Sequence, residues 1–129
     1  MTHPKWLPLS FILEIHAAQI AEHGGADGLR DEGLLESACS RPLNAFNYGT
    51  DDLCALAALY GCEMIQSHPF LDGNKRTGLV ALELFLEWND LRLIASDEET
   101  LATLLALASG EWSVADLTDW LRTSVAPLP

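Results

Sequence analysis

The sequence has 129 residues, 49% of them hydrophobic, which is enough apolar material for one folded domain and too much for a disordered chain. Nineteen acidic residues against seven basic ones give a formal net charge of −12. So acidic a balance argues against phosphate-driven binding of nucleic acid and against docking on anionic membranes, but leaves room for a local cationic site.

In chain order, the spacing of Ile12, Ile15, Gln19 and Ile20 predicts a first helix from about Leu9 to His23, stopped by Gly24-Gly25. His16 and His23 share this helix seven residues apart, and two unrelated polar positions explain them better than a metal site. Asp31 is suited to cap a short second helix, with Arg30 as its ion-pair partner, and that helix should end before Arg41-Pro42. Pro42–Asp51, with Asn44, Asn47, Tyr48 and Gly49, reads as a loop or small hairpin.

The Ala- and Leu-rich stretch Asp52–Ser67 predicts a third, deeply buried helix. An irregular stretch from His68 to Gly73 follows, and a fourth helix runs to about Trp88. Asn89-Asp90 turns the chain and Leu91–Ala95 is short and extended. Ser96 with Glu99, and Ser113 with Asp116, carry the spacing of capping boxes that open a fifth and a sixth helix. Pro127 and Pro129 end the last. The four tryptophans read as packing residues, with Trp112 and Trp120 also candidates for a partner groove.

The expected product is an all-α bundle of about six helices, a single domain over residues 1–129, with a small flap loop or hairpin before the third main helix. Cys39, Cys54 and Cys62 are unclustered and odd in number, as in a reducing compartment. No signal peptide or membrane span is visible, so the expected location is the cytoplasm.

The chemistry concentrates in His68-Pro69-Phe70-Leu71-Asp72-Gly73-Asn74-Lys75-Arg76. A helix N-terminus leaves about four backbone N–H groups unpaired and carries roughly half a positive charge. Gly73 lets the chain turn tightly onto that terminus, and Lys75 and Arg76 add two cations where the helix already favours an anion. A bound phosphate is the natural compensation. Asp72 beside phosphates is suited to Mg²⁺, His68 to the work of a general base, and Phe70 to burying itself and fixing the loop. Together these residues describe transfer of part of a nucleotide to a hydroxyl.

The same residues resemble the signature of the Fic/Doc superfamily, H-x-F-x-[D/E]-G-N-G-R-x-x-R. Lys75 replaces its second glycine and Leu79 its last arginine, and both departures resemble the Doc (death-on-curing) branch. A second block is similar in order and spacing: Ile15-His16 through Gly24-Gly25, Gly28-Leu29-Arg30-Asp31, and Leu34-Leu35-Glu36-Ser37 to Arg41-Pro42. The resemblance implies a toxin that transfers the γ-phosphate of ATP to a protein hydroxyl, a threonine of elongation factor Tu in that branch, and so arrests translation.

By position, His68 would be the catalytic base, Asp72 the Mg²⁺ ligand, and Gly73, Asn74, Lys75 and Arg76 the phosphate cradle. Leu43–Asp52 corresponds to the flap that pairs with the target peptide, with Phe46 and Tyr48 flanking it. The inhibitory pattern [S/T]-x-x-x-E-[G/N] is missing, since Ile15 follows Ser10 and Glu14, so the resemblance implies a Phd-like antitoxin acting in trans. A partner of the usual acidic kind would be repelled by a chain of −12, which requires an apolar contact or a less acidic antitoxin. Two alternatives stay open: a Fic-type nucleotidyltransferase that attaches AMP or UMP, and a binding protein of the same fold without activity.

Overall fold

The computed structural model describes residues 3–129, which form six helices and one two-stranded ribbon. The helices are α1 (Leu9–His23), α2 (Glu32–Asn47), α3 (Leu53–Ser67), α4 (Asn74–Trp88), α5 (Asp97–Ala108) and α6 (Val114–Ser124). The strands are β1 (Leu91–Leu93) and β2 (Val125–Pro127). The all-α bundle expected from the sequence is what forms. No helix among the described residues is long and apolar enough to cross a membrane.

The bundle is built around α3, which buries residues on every side: Leu56, Ala57, Ala58, Tyr60, Cys62, Met64 and Ile65 are all within 1% of complete burial. A helix apolar all round must be wrapped by others, and α2, α4, α5 and α6 pack on it. Its start is fixed by Asp52, whose carboxylate accepts from the Cys54 N–H at 2.9 Å and from Arg122 of α6 at 2.8 Å. All three cysteines are free thiols, and burial pushes Cys39 and Cys62 up to about 11, so neither is a ready nucleophile at neutral pH.

Helices α3 and α4 approach closely because glycines face each other. A Cβ on Gly78 would lie 3.0 Å from the Gly61 carbonyl oxygen and 3.0 Å from Ile65 Cγ1. Alanine is the better helix former by about 1 kcal/mol. Even so, Gly78→Ala is expected to destabilise the protein by about 1–3 kcal/mol, because backbone must move to admit the methyl. The urea midpoint should fall with an unchanged slope; a raised midpoint would show that the two helices can separate freely.

Three departures from the sequence reading have physical causes. Helix α2 does not end before Arg41-Pro42 but runs through Pro42 to Asn47. Proline inside a helix costs about 3 kcal/mol through a lost hydrogen bond and a clash with the preceding turn. Here Leu35, Ala38 and Pro42 are buried and Phe46 half-buried on one continuing face, and that burial outweighs the local penalty. The expected hairpin at Pro42–Asp51 is therefore absent, and only the short loop 48–52 separates α2 from α3.

The ribbon is the second departure. After α6 the chain turns back as β2, pairing antiparallel with β1 through Leu91↔Pro127, Arg92↔Ala126 and Leu93↔Val125. The third concerns caps. Ser113 and Asp116 form the reciprocal box, which holds Asp116 below the usual carboxylate range, whereas Ser96 only accepts from the Glu99 N–H. The tryptophans Trp6, Trp88, Trp112 and Trp120 all pack against the core.

Candidate active site

The loop between α3 and α4 is anchored by Phe70, which is 1% exposed and stacks face to face on His16 of α1, with ring centroids 3.7 Å apart. His16 is itself buried at 3% exposure, and its Nε2–H donates to the Asp72 carbonyl at 2.8 Å. The histidine read as an unrelated polar position thus holds the loop from beneath.

Asn74 closes the loop from within. Its Oδ1 accepts from the Phe70 N–H and its Nδ2 donates to the Phe70 carbonyl, both at 3.0 Å. The side chain expected to bind phosphate thus spends one of its two Nδ2–H donors on the backbone, and the other stays available beside the cleft that Asn74 lines.

Gly73 precedes α4 at φ +81°, a left-handed turn natural to glycine, and a Cβ there would press on Ile20 at 3.3 Å. No side chain among the described residues caps this helix, although Asp31, Asp52, Ser96 and Ser113 cap α2, α3, α5 and α6. The uncapped terminus opens into a cleft of about 500 Å³ lined by His68, Asp72, Lys75 and Arg76 from the loop and α4, and by His23, Gly24 and Gly25 from the end of α1.

Lys75 and Arg76 form no ion pair among the described residues, unlike Arg41 with Glu63 and Arg122 with Asp52. In a chain of net charge −12, two cations left together at a helix N-terminus make a strong local anion site. Asp72 gives one oxygen, Oδ2, to the Ala26 N–H at 2.7 Å, and Oδ1 has no hydrogen bond among the described residues. One open carboxylate oxygen beside a phosphate site suits Mg²⁺, which binds through one or two carboxylates and completes its shell with phosphates and water. No cluster of three or more ligating side chains occurs among the described residues, so the protein alone offers no metal cage.

His68 ends α3 at φ 52°, ψ 61°, left-handed and unusual for a residue with a Cβ. Its side chain is exposed at the cleft. The segment between α1 and α2 runs alongside: Arg30 N–H donates to the Pro69 carbonyl at 2.8 Å, Leu71 N–H to the Gly28 carbonyl at 3.0 Å, and Leu29 bridges Phe70. Arg30 makes no ion pair with Asp31. Its Nε and Nη2 instead donate to the His68 and Ser67 carbonyls, each at 2.6 Å, while Asp31 caps α2 through the Leu34 N–H.

The structure thus brings His68, Asp72, Gly73, Asn74, Lys75 and Arg76 to one cleft and leaves Phe46 and Tyr48 outside it. Phe46 lies on α2, half-buried, with its ring against Trp6 at 5.6 Å between centroids, and Tyr48 is 94% exposed at the end of that helix. The chain that borders the motif is 24–31, not Leu43–Asp52. His16, His23 and Arg30 were missed as site residues. Their only sequence signal was their place in the block that runs from Ile15-His16 through Gly24-Gly25 to Gly28-Leu29-Arg30-Asp31.

Comparison with known proteins agrees with the geometry. A family model described as the Fic/DOC family matches residues 6–86. The protein kinase doc of Escherichia phage P1 is 35% identical over 112 residues, covering 86% of this chain and 88% of that protein. The toxin Doc of Mycolicibacterium smegmatis is 40% identical over 75 residues, covering 56% of this chain and 57% of that toxin.

Proposed function

The chain belongs to the Fic/DOC family, and from that premise we propose that it is a Doc-like toxin that transfers the γ-phosphate of ATP to a protein hydroxyl. The observation that carries this reading is the pair Lys75–Arg76, unpaired at an uncapped helix N-terminus in the cleft that also holds His68 and Asp72. The α4 N–H groups and the two cations hold the phosphates. Asp72, through its open Oδ1, would hold Mg²⁺, and the ion would supply neutralisation of phosphate charge. His68 takes the proton of the target hydroxyl as its oxygen bonds to the γ-phosphorus and the bond to the bridging oxygen breaks, releasing ADP.

Lys75 in place of glycine supports γ-phosphate over nucleotidyl transfer, because its bulk and charge change how the phosphate chain lies in the cradle. The target lies along the segment 24–31, whose Leu29 is 40% exposed next to the exposed Leu71. Following the resemblance, the acceptor is a threonine of elongation factor Tu, modified in the cytoplasm to arrest translation. An antitoxin restrains the toxin in trans, and a Phd-like antitoxin docks through apolar contact, since charge repulsion opposes an acidic partner.

Incubation with Mg²⁺, a cell extract and ATP labelled at either the γ or the α position tests the reading. Label on protein is expected from the γ position only. Label from the α position would make the protein a nucleotidyltransferase, and no label with preserved toxicity would make it a binding protein.

A further inference from the structure

We infer that Arg30 is a positioning residue for His68, acting as the C-terminal cap of α3 in place of a backbone closure. A helix that ends in a left-handed residue usually closes with the N–H groups of that residue and the next one reaching back to the last turn. This closure fails here because the residue after His68 is Pro69, which has no N–H, and His68 itself donates no such bond among the described residues. The last carbonyls of α3 therefore need donors from elsewhere, and Arg30 supplies two at 2.6 Å.

The pair of acceptors matters more than their number. Ser67 O belongs to the peptide plane before His68 Cα, and His68 O to the plane after it. A guanidinium fork that holds both planes fixes φ and ψ between them, and so fixes the direction in which the His68 side chain leaves the backbone. The fork's own base is set by the Arg30 and Asp31 N–H groups, which both donate to the Pro69 carbonyl at 2.8 and 3.1 Å. A cation at this end also suits the negative pole of α3. Arg30 does not line the cleft, so it acts on the reaction through His68 and not on the phosphates.

The inference rests on His68 being the base, and the test separates the two. Initial rates of phosphoryl transfer from ATP are compared for the wild type, Arg30→Lys, Arg30→Gln, His68→Asn and, as a control for loss of a comparable surface clamp, Arg122→Lys. Arg30 is exposed, so the fold should survive. Lysine keeps the charge but not the rigid two-pronged donor.

Arg30→Lys and Arg30→Gln are expected to lower kcat on the order of tenfold to a hundredfold at unchanged KM for ATP. Arg122→Lys should lower only the thermal midpoint. In the wild type His68 should give one sharp imidazole resonance, broadened or doubled in Arg30→Lys. Unchanged kcat in both Arg30 variants while His68→Asn is inactive would overturn the inference, as would failure of both to fold. Full activity of His68→Asn would instead overturn the role of His68.

Discussion

Replacement of His68 by asparagine is expected to lower phosphoryl transfer by about 10²–10⁴-fold, the usual contribution of a positioned general base, and to abolish growth arrest on expression. Asparagine is the informative substitution because it tolerates the left-handed backbone at φ 52° better than alanine does. The loss can then be assigned to the imidazole and not to a rearranged loop. The His68 side chain is exposed and makes no hydrogen bond among the described residues, so the unfolding midpoint should stay close to that of the wild type. His68→Ala should be as inactive but slightly less stable. Toxicity equal to the wild type in both variants would refute catalysis by His68.

The second large effect falls on stability. Phe70→Ala is expected to cost about 3–5 kcal/mol, the usual range for removing a fully buried phenylalanine. Against a total stability of about 5–15 kcal/mol, at least about half of the molecules remain folded at 25 °C. Activity should nevertheless fall further than the folded fraction, because the ring supports both sides of the site. It stacks on His16, which holds the Asp72 carbonyl, and its own backbone is clipped by Asn74 at the start of α4. Urea unfolding measures the first quantity, and the transfer rate per folded molecule the second. A stability loss under about 1 kcal/mol would mean that the loop holds its shape without the ring.

Both expectations rest on residues legible in the sequence, and the reason is locality. His68, Phe70, Asp72, Gly73, Lys75 and Arg76 fall within one loop and one helical turn, where residue type and spacing already define a tight turn, a helix start and two cations. The bounds of α1 and the caps Asp31 and Ser113 were legible on the same ground, since these caps join residues three apart. Asn74 shows the limit of such reading. Its type suited a phosphate contact, and nothing local showed that its amide also clips a backbone four residues away.

Pro42 shows a different limit. The local rule that proline ends a helix is sound, and it lost because α2 had a continuous apolar face to bury against α3. The loop or hairpin expected there as a flap does not form for the same reason, since a helix that continues to Asn47 takes Phe46 out of any loop. The strand β2 escaped notice because three residues carry no periodic signal and are ordered only by pairing with β1.

The opening charge balance is the clearest case of both contributions. The sequence alone determined that an acidic chain carries one adjacent pair of cations beside a glycine turn, and hence where a phosphate site was to be expected. Only the tertiary structure decided that the pair lines a cleft without an ion-pair partner among the described residues, that His16 supports the loop, and that Arg30 caps the helix ending at His68. Those contacts join residues 37 or more positions apart. Their formation depends on how α1, α3 and the segment between α1 and α2 pack, and no local preference of the chain encodes that.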